Sequence, residues 1–161
     1  MYLDLMERVL TNTIYPEAEG DAEVILKARQ EGGDWPKYAH TMIGLKRLRN
    51  VRECAQRVIV DQVPGDFIEA GVWRGGAAIM IRAVIQACGV WDRRVWVADS
   101  FEGLPKPNVA LYPVDSTLGE MHTHDFLRVS VAQVQENFRK YGLLDERVVF
   151  VRAGSGRRCR R

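Results

Sequence analysis

Two acidic residues, each closing a short apolar run, are the first candidates for chemistry. Glu69 follows Asp66-Phe67-Ile68, and Asp99 follows Arg94-Val95-Trp96-Val97-Ala98. Runs of that length read as buried strands, so each carboxylate stands where a strand gives out. After Glu69 the chain continues Ala70-Gly71-Val72-Trp73-Arg74-Gly75-Gly76 and then adopts a helical pattern. Glycine takes positive φ at low cost and lets a ligand approach the backbone, while the helix start offers unpaired N–H groups. The turn therefore reads as a cradle for a nucleotide-like ligand. The plain alternative is that Glu69 only caps nearby N–H groups, the glycines only make a tight turn and Trp73 only packs.

The two acids narrow the ligand. A carboxylate beside the turn favours a cation, and an acid ending the next parallel strand can accept hydrogen bonds from both hydroxyls of a ribose. In the dinucleotide pattern G-x-G-x-x-G a middle glycine lets the backbone crowd a pyrophosphate; here Val72-Trp73-Arg74 follows Gly71. A nucleoside without pyrophosphate fits better, and the sulfonium and ammonium of S-adenosylmethionine meet the charge requirement. An NAD-dependent oxidoreductase accords with Asp99 but conflicts with the Trp73 turn. His122, His124 and Asp125 have the chemistry of zinc or iron ligands. Histidines two apart in a polar loop project differently, and His40 is the only other one in the chain. No metal site is assigned; Asp115 and Asp125 read as solvated or as Asx turns.

These residues need a scaffold. Phe67 to Ala70, the helical repeat Ala77, Ala78, Ile81, Val84, Ile85, Cys88 and the run ending at Asp99 make a βαβ unit, with Gly89 as a left-handed stop. A right-handed crossover sets the two strands parallel, with their C-terminal ends at one crevice. Upstream, Leu3, Met6, Leu10 and Ile14 predict one short helix, which Tyr15-Pro16 and Gly20 break. Asp21 to Arg29 predicts a second, with Val24, Ile25 and Ala28 on its apolar face. His40 to Val60 predicts a third, with Lys46, Arg47, Arg49 and Arg52 as its solvated face. From Ser100 to Val129 periodicity is weak and a long loop is expected. Ser130-Val131-Ala132-Gln133 has capping-box form and opens a helix with Val131, Val134, Phe138 and Tyr141 on its buried stripe. Val148 to Val151 is a third strand.

A chain of 161 residues is long enough for one core. The net charge of +2 hides an asymmetry: five of the 23 basic residues lie after Val151, leaving 18 against 21 acidic ones in the body. The basic pI belongs to the tail, so nothing supports nucleic-acid binding by the domain. Three cysteines, Cys54, Cys88 and Cys159, without C-x-x-C spacing suit a reducing, cytoplasmic setting rather than a disulfide framework. No export signal or membrane-spanning run is read.

Four runs together resemble one family. His40-Thr41-Met42-Ile43-Gly44-Leu45-Lys46-Arg47-Leu48, Glu69 to Gly76, Ala98-Asp99-Ser100-Phe101-Glu102-Gly103-Leu104-Pro105, and Val134 to Phe138 leading to Tyr141-Gly142-Leu143-Leu144-Asp145 are similar to the macrocin O-methyltransferase family. The likeness covers nearly all the chain up to about Val151. It implies a class I S-adenosylmethionine-dependent methyltransferase acting on a sugar hydroxyl of a macrolide-type, glycosylated small molecule, with Mg2+ assisting. By motif position, Glu69, Ala70, Gly71, Val72 and Trp73 would line the methionine side of the cofactor. Asp99, Ser100, Phe101, Glu102 and Gly103 would take the ribose and adenosine, Ser130 a further contact, and Trp35 and Met42 would belong to a lid over the acceptor.

The expected architecture is α/β, Rossmann-like: N-terminal helices and the first half of a doubly wound parallel sheet, with the C-terminal half missing. Its parts are a helical lid segment over residues 1–64, a cofactor-binding half over 65–152 and an irregular basic tail over 153–161. The aspartates that the family uses for metal and base have no counterpart before the chain ends, and the arginine-rich ending resembles translation in a shifted frame. Weak or absent catalysis by this polypeptide alone is therefore expected. The competing expectation is a non-catalytic cofactor-binding or interaction fragment whose open sheet edge recruits another chain, including a second copy.

Overall fold

In a computed structural model, residues 1–15 and 21–153 are described. The expected break at Pro16 to Gly20 and the basic tail from Gly154 onward, including Cys159, lie outside them. The chain runs α1 (Tyr2–Leu10), α2 (Ala22–Glu31), α3 (Gly44–Val60), β1 (Phe67–Ala70), α4 (Gly76–Ala87), β2 (Val95–Asp99), α5 (Val131–Lys140) and β3 (Val148–Arg152). Three short 3-10 turns, Pro113–Leu118, Met121–Thr123 and Asp125–Leu127, punctuate the long loop.

The strands form one parallel sheet in the order β1-β2-β3, with Ile68 beside Trp96 and Trp96 beside Val149. Because the order advances one way through two right-handed crossovers, α4 and α5 fall on the same face. Packing agrees: a Cβ added at Gly75, ahead of α4, would lie 2.8 Å from Val134 Cγ1 of α5. The covered face carries Phe67 and Glu69, Val95 and Val97, Val148 and Phe150; Phe138 meets Phe150 edge-on at 5.9 Å. The alternate residues face away, and Ile68 on the edge strand is 67% exposed.

Helix α4 is the centre of the core. Ala78, Ile79, Met80, Ala83, Val84 and Ile85 are all inaccessible to solvent, because β1 and β2 lie on one side and α1 and α3 on the other. Each buried Ile or Val contributes about 1.5–3 kcal/mol relative to exposure. Leu3, Met6 and Leu10 of α1 and Leu48 of α3 belong to this same core, whereas Cys88, expected on the stripe, is exposed.

Two helices differ from expectation for reasons that lie far along the chain. In α2 Val24 is exposed and Arg29 is buried, donating to Asp34 Oδ2 at 2.6 Å and to the Thr11 carbonyl at 2.6 Å. Helix α3 starts at Gly44 rather than His40, since Gly44 sits at φ 78° against Gly32, where an added Cβ would be 2.3 Å from the Gly32 nitrogen. Its basic face is not all solvated either: Arg49 and Arg52 reach the buried Glu7 at 3.3 and 3.1 Å.

Candidate functional site

The turn after β1 closes on itself through a hydrogen bond from Gly75 N to Val72 O of 2.7 Å, and Gly71, at φ 81°, leaves open space where a side chain would be. Two residues that are not glycine also have left-handed backbones here, Trp73 at φ 47° and Phe101 at φ 57°. Such conformations cost of order 1–3 kcal/mol each and persist only where surroundings impose them, commonly at ligand sites. Trp73 is held by its indole Nε1–H donating to Phe126 O at 2.9 Å, and Phe101 by burial against Phe150. One lies in each of the two loops expected to hold the cofactor.

The carboxylates occupy the C-terminal ends of adjacent parallel strands. Asp99 Oδ2 accepts from Val72 N at 2.7 Å and its Oδ1 from Phe101 N at 2.9 Å, so one side chain ties the loop after β1 to the loop after β2. Ser100 Oγ donates to Gly103 O at 3.2 Å and accepts from Glu102 N at 3.2 Å, which shapes the second loop. Glu69 Oε2 accepts from Ala78 N at 2.8 Å, in the first turn of α4. The capping alternative for Glu69 is therefore real. Yet burial, only partly offset by that N–H and reinforced by the negative Asp99, pushes its carboxyl up to about 7. No cation contributes to its environment, and a cationic ligand would supply the compensation that the protein does not.

The other expected residues are distributed around this pair. Ser130 caps α5, accepting from Gln133 N at 3.3 Å while Gln133 Oε1 accepts from Ser130 N at 2.9 Å. Trp35 is 54% exposed and packs edge-on against Phe126 at 4.6 Å; Met42 is half-buried ahead of α3. His124 joins the Trp35–Phe126 cluster at 5.9 and 5.6 Å. Among the described residues no group of three or more His, Cys, Asp or Glu is gathered to hold a metal ion. The described residues thus offer no ready-made donor set for Mg2+. For S-adenosylmethionine the fit is better: an uncompensated buried carboxylate and an open turn meet a cation and a close-lying ligand.

Sequence reasoning missed a second layer. His40 N donates to Leu10 O at 2.9 Å and His40 O accepts from Gly76 N at 3.0 Å, pinning this residue between α1 and the start of α4. Arg74 Nη1 donates to the carbonyls of Lys37 at 2.9 Å and Ala39 at 2.8 Å, and its guanidinium lies 4.2 Å from the Trp73 ring centroid. Asn137 of α5 donates to Arg74 O at 3.0 Å. All three fall within the runs that carried the family resemblance, which was the available signal. Beside the carboxylate pair, rather than on it, lies an open cleft of about 400 Å³ lined by His40, Arg74, Phe126, Val129 and residues of α5.

Two groups set opposing pH trends. Glu69 has a folded pKa above its ordinary 4.5, so its contribution is fully present below 4.5 and lost as pH rises through about 7. His40 is lowered from 6.5 to about 4 by burial first, then by Lys140 and Arg74; its contribution is present above 6.5 and lost as pH falls through about 4. Each shift corresponds to about 3 kcal/mol across its window, so the two largely cancel between pH 4.5 and 6.5. Glu69→Gln should expose the His40 slope: stability measured by urea unfolding will rise from pH 4.5 to 6.5 in the variant and stay nearly flat in the parent.

Comparison with known proteins accords with this geometry. The macrocin-O-methyltransferase (TylF) family model matches residues 20–154. A tetracenomycin 4'-O-methyltransferase of Streptomyces olivaceus, acting on the 8-demethyl-8-(2,3-dimethoxy-alpha-L-rhamnosyl) compound, is 50% identical over 157 residues, covering 94% of this chain and 60% of the relative. Demethyldecarbamoylnovobiocin O-methyltransferase of Streptomyces niveus is 46% identical, with coverage of 94% and 60%. Mycinamicin III 3''-O-methyltransferase of Micromonospora griseorubida is also 46% identical, with coverage of 94% and 63%. The solved structure of the O-methyltransferase NovP superimposes with a TM-score of 0.85 at 48% identity, over 92% of this chain and 62% of that one. The chain spans about 60% of the length of the curated relatives it matches. By motif order, by fold and by the family model over most of its length, this chain belongs to the macrocin-O-methyltransferase family.

Proposed function

We propose that the chain carries the cofactor site of an S-adenosylmethionine-dependent O-methyltransferase that methylates a sugar hydroxyl of a glycosylated natural product. The observation that carries this reading is the pair Glu69 and Asp99 at the ends of adjacent parallel strands, flanking an open glycine turn. Glu69 to Trp73 take the methionine end of the cofactor, with the Glu69 carboxylate facing its positive charge. Asp99 to Gly103 take the ribose and adenosine; Asp99 Oδ2 keeps a lone pair beyond its contact with Val72 N, while Oδ1 accepts from Phe101 N and lies 3.3 Å from Ser100 Oγ. Ser130 adds a contact from the start of α5. Bound S-adenosylmethionine supplies an electrophilic methyl group; the protein's part is to orient it against the acceptor hydroxyl and exclude water. Trp35 and Met42, ahead of α3, belong to the lid that does so.

Within the described residues no helix is long and apolar enough to cross a membrane. The exposed free thiols of Cys54 and Cys88 suit a reducing, cytoplasmic setting. The test is calorimetric titration with S-adenosylmethionine beside a product assay on glycosylated acceptors; cofactor binding at Glu69 should release a proton near neutral pH, read as a heat that varies with the buffer. The reading fails if the cofactor does not bind.

The open edge and bare face of the sheet favour one addition. Among the described residues β1 has no partner strand on its outer side and Ile68 is 67% exposed; we propose that copies of this chain associate through this edge. Ile68→Lys should shift sedimentation from dimer toward monomer by several-fold in the dissociation constant; a parent chain monomeric at all concentrations would refute this.

A further inference from the structure

The cleft beside the cofactor cradle has a defined electrostatic character. Its walls bring Lys37, Arg74, Arg128 and Lys140 against Asp125 and Glu136, an excess of two positive charges. The acids are engaged with arginines, Asp125 with Arg128 at 3.7 Å and Glu136 with Arg139 at 3.1 Å. Arg74 is committed to main-chain carbonyls, whereas Lys140 is exposed and, among the described residues, its ammonium is hydrogen-bonded only to Asn137 Oδ1, at 3.4 Å.

His40 is a polar group of this cleft held through its backbone and its ring. Its backbone is held by Leu10 and Gly76, and its Nδ1 lies 2.5 Å from the Tyr141 hydroxyl with the rings edge-on at 5.4 Å. Burial keeps the Tyr141 phenol protonated, and among the described residues His40 is that hydroxyl's only hydrogen-bond partner. With the hydroxyl donating to Nδ1, the arrangement that leaves no phenol hydrogen unpaired among the described residues, a neutral imidazole carries its hydrogen on Nε2. No described residue engages Nε2, and His40 lines the cleft. An N–H donor, the exposed Lys140 ammonium and aromatic surface from Phe126 and Tyr38 make a receptor for a flat, negatively charged oxygen group.

We propose that this cleft binds a planar anionic group of the acceptor, a carboxylate or phenolate on an aromatic ring, with His40 Nε2–H donating to its oxygen and Lys140 supplying the counter-charge. The assignment to the acceptor rests on the methyltransferase reading. Within it, the anionic group anchors the molecule beside the cradle while its sugar reaches the methyl donor.

The experiment is a 1H–15N correlation titration of the full chain with 2-naphthoate and, separately, with the neutral isostere 2-naphthamide. Naphthoate should shift His40, Gln133, Asn137 and Lys140 saturably and bind about tenfold more tightly than naphthamide. Lys140→Gln, at an exposed position, should weaken naphthoate several-fold and leave naphthamide unchanged. His40→Ala should abolish the preference, and His40→Gln, which keeps an N–H donor, should restore part of it. Equal binding of the two probes, no binding of naphthoate, or an unchanged preference in Lys140→Gln and His40→Ala would overturn the proposal. S-adenosylmethionine added to the same samples reports separately at Gly71 to Trp73 and Asp99 to Gly103. Loss of those shifts alone sinks the methyltransferase reading and leaves the anion cleft standing.

Discussion

Gly76→Ala is expected to lower the thermal midpoint by about 10 °C, the largest stability loss of any single methyl added at the site. The new Cβ would lie 2.5 Å from the His40 carbonyl oxygen and 2.7 Å from Thr41 Cβ, and neither can move as the tip of a flexible side chain would. The same shift would break the Gly76 N to His40 O hydrogen bond of 3.0 Å. Overpacking at the upper end of its range, about 3 kcal/mol, and a lost hydrogen bond of about 1 kcal/mol outweigh the roughly 1 kcal/mol that alanine gains over glycine in a helix. A net loss of about 3 kcal/mol gives the stated shift for a chain of this size. Differential scanning calorimetry measures it. Gly71→Ala is the control: there the added Cβ meets nothing within 4 Å, so only left-handed strain of about 1 kcal/mol should appear.

Asp99→Ala should be costly in a second way, through ligand affinity as well as stability. The carboxylate is the one side chain that accepts from both loops, at Val72 N and Phe101 N, and Val72 is 4% exposed. Removing it strands a buried N–H and releases Phe101 from its left-handed conformation, a loss of about 2–3 kcal/mol. Affinity for S-adenosylmethionine should fall at least tenfold, equivalent to about 1.4 kcal/mol. Asp99→Asn should rescue little, because one of the two acceptors becomes an NH2 facing an N–H. Wild-type affinity in the alanine variant would remove Asp99 from the cofactor site. Calorimetry and urea unfolding on the same preparation separate the two effects.

How much of this could be read from residues alone depends on how local each determinant is. The strands were legible because Phe67 to Ala70 and Val95 to Asp99 are apolar runs bounded by turn formers and acids. So was the start of α5, since a capping box needs only Ser130 and Gln133. In α2 periodicity located the helix but put Val24 on its buried face and missed Arg29, which is buried and satisfied by Asp34 and Thr11; a pattern of apolar spacing has no sign for buried charge. The start of α3 was misplaced for a related reason: what ends the preceding segment is the Gly32–Gly44 contact, not a breaker in the run itself. The neighbouring positions of Glu69 and Asp99 were legible because a parallel βαβ unit obliges strand ends to share a crevice. His40 and Tyr141 were not paired because they stand 101 residues apart and each looks like an ordinary packing residue. The left-handed Trp73 and Phe101 are likewise products of tertiary contacts, and they mark the two loops more sharply than the glycines do.

The central claim is that Glu69, Asp99 and the turn between them hold S-adenosylmethionine. Isothermal titration of the chain with S-adenosylmethionine at pH 7.5, repeated in two buffers of different protonation enthalpy, tests it most directly. The account predicts one site, a buffer-dependent heat reporting proton release from Glu69, and loss of that buffer dependence in Glu69→Gln. No binding, or binding with the same heat in both buffers and in the variant, would contradict it.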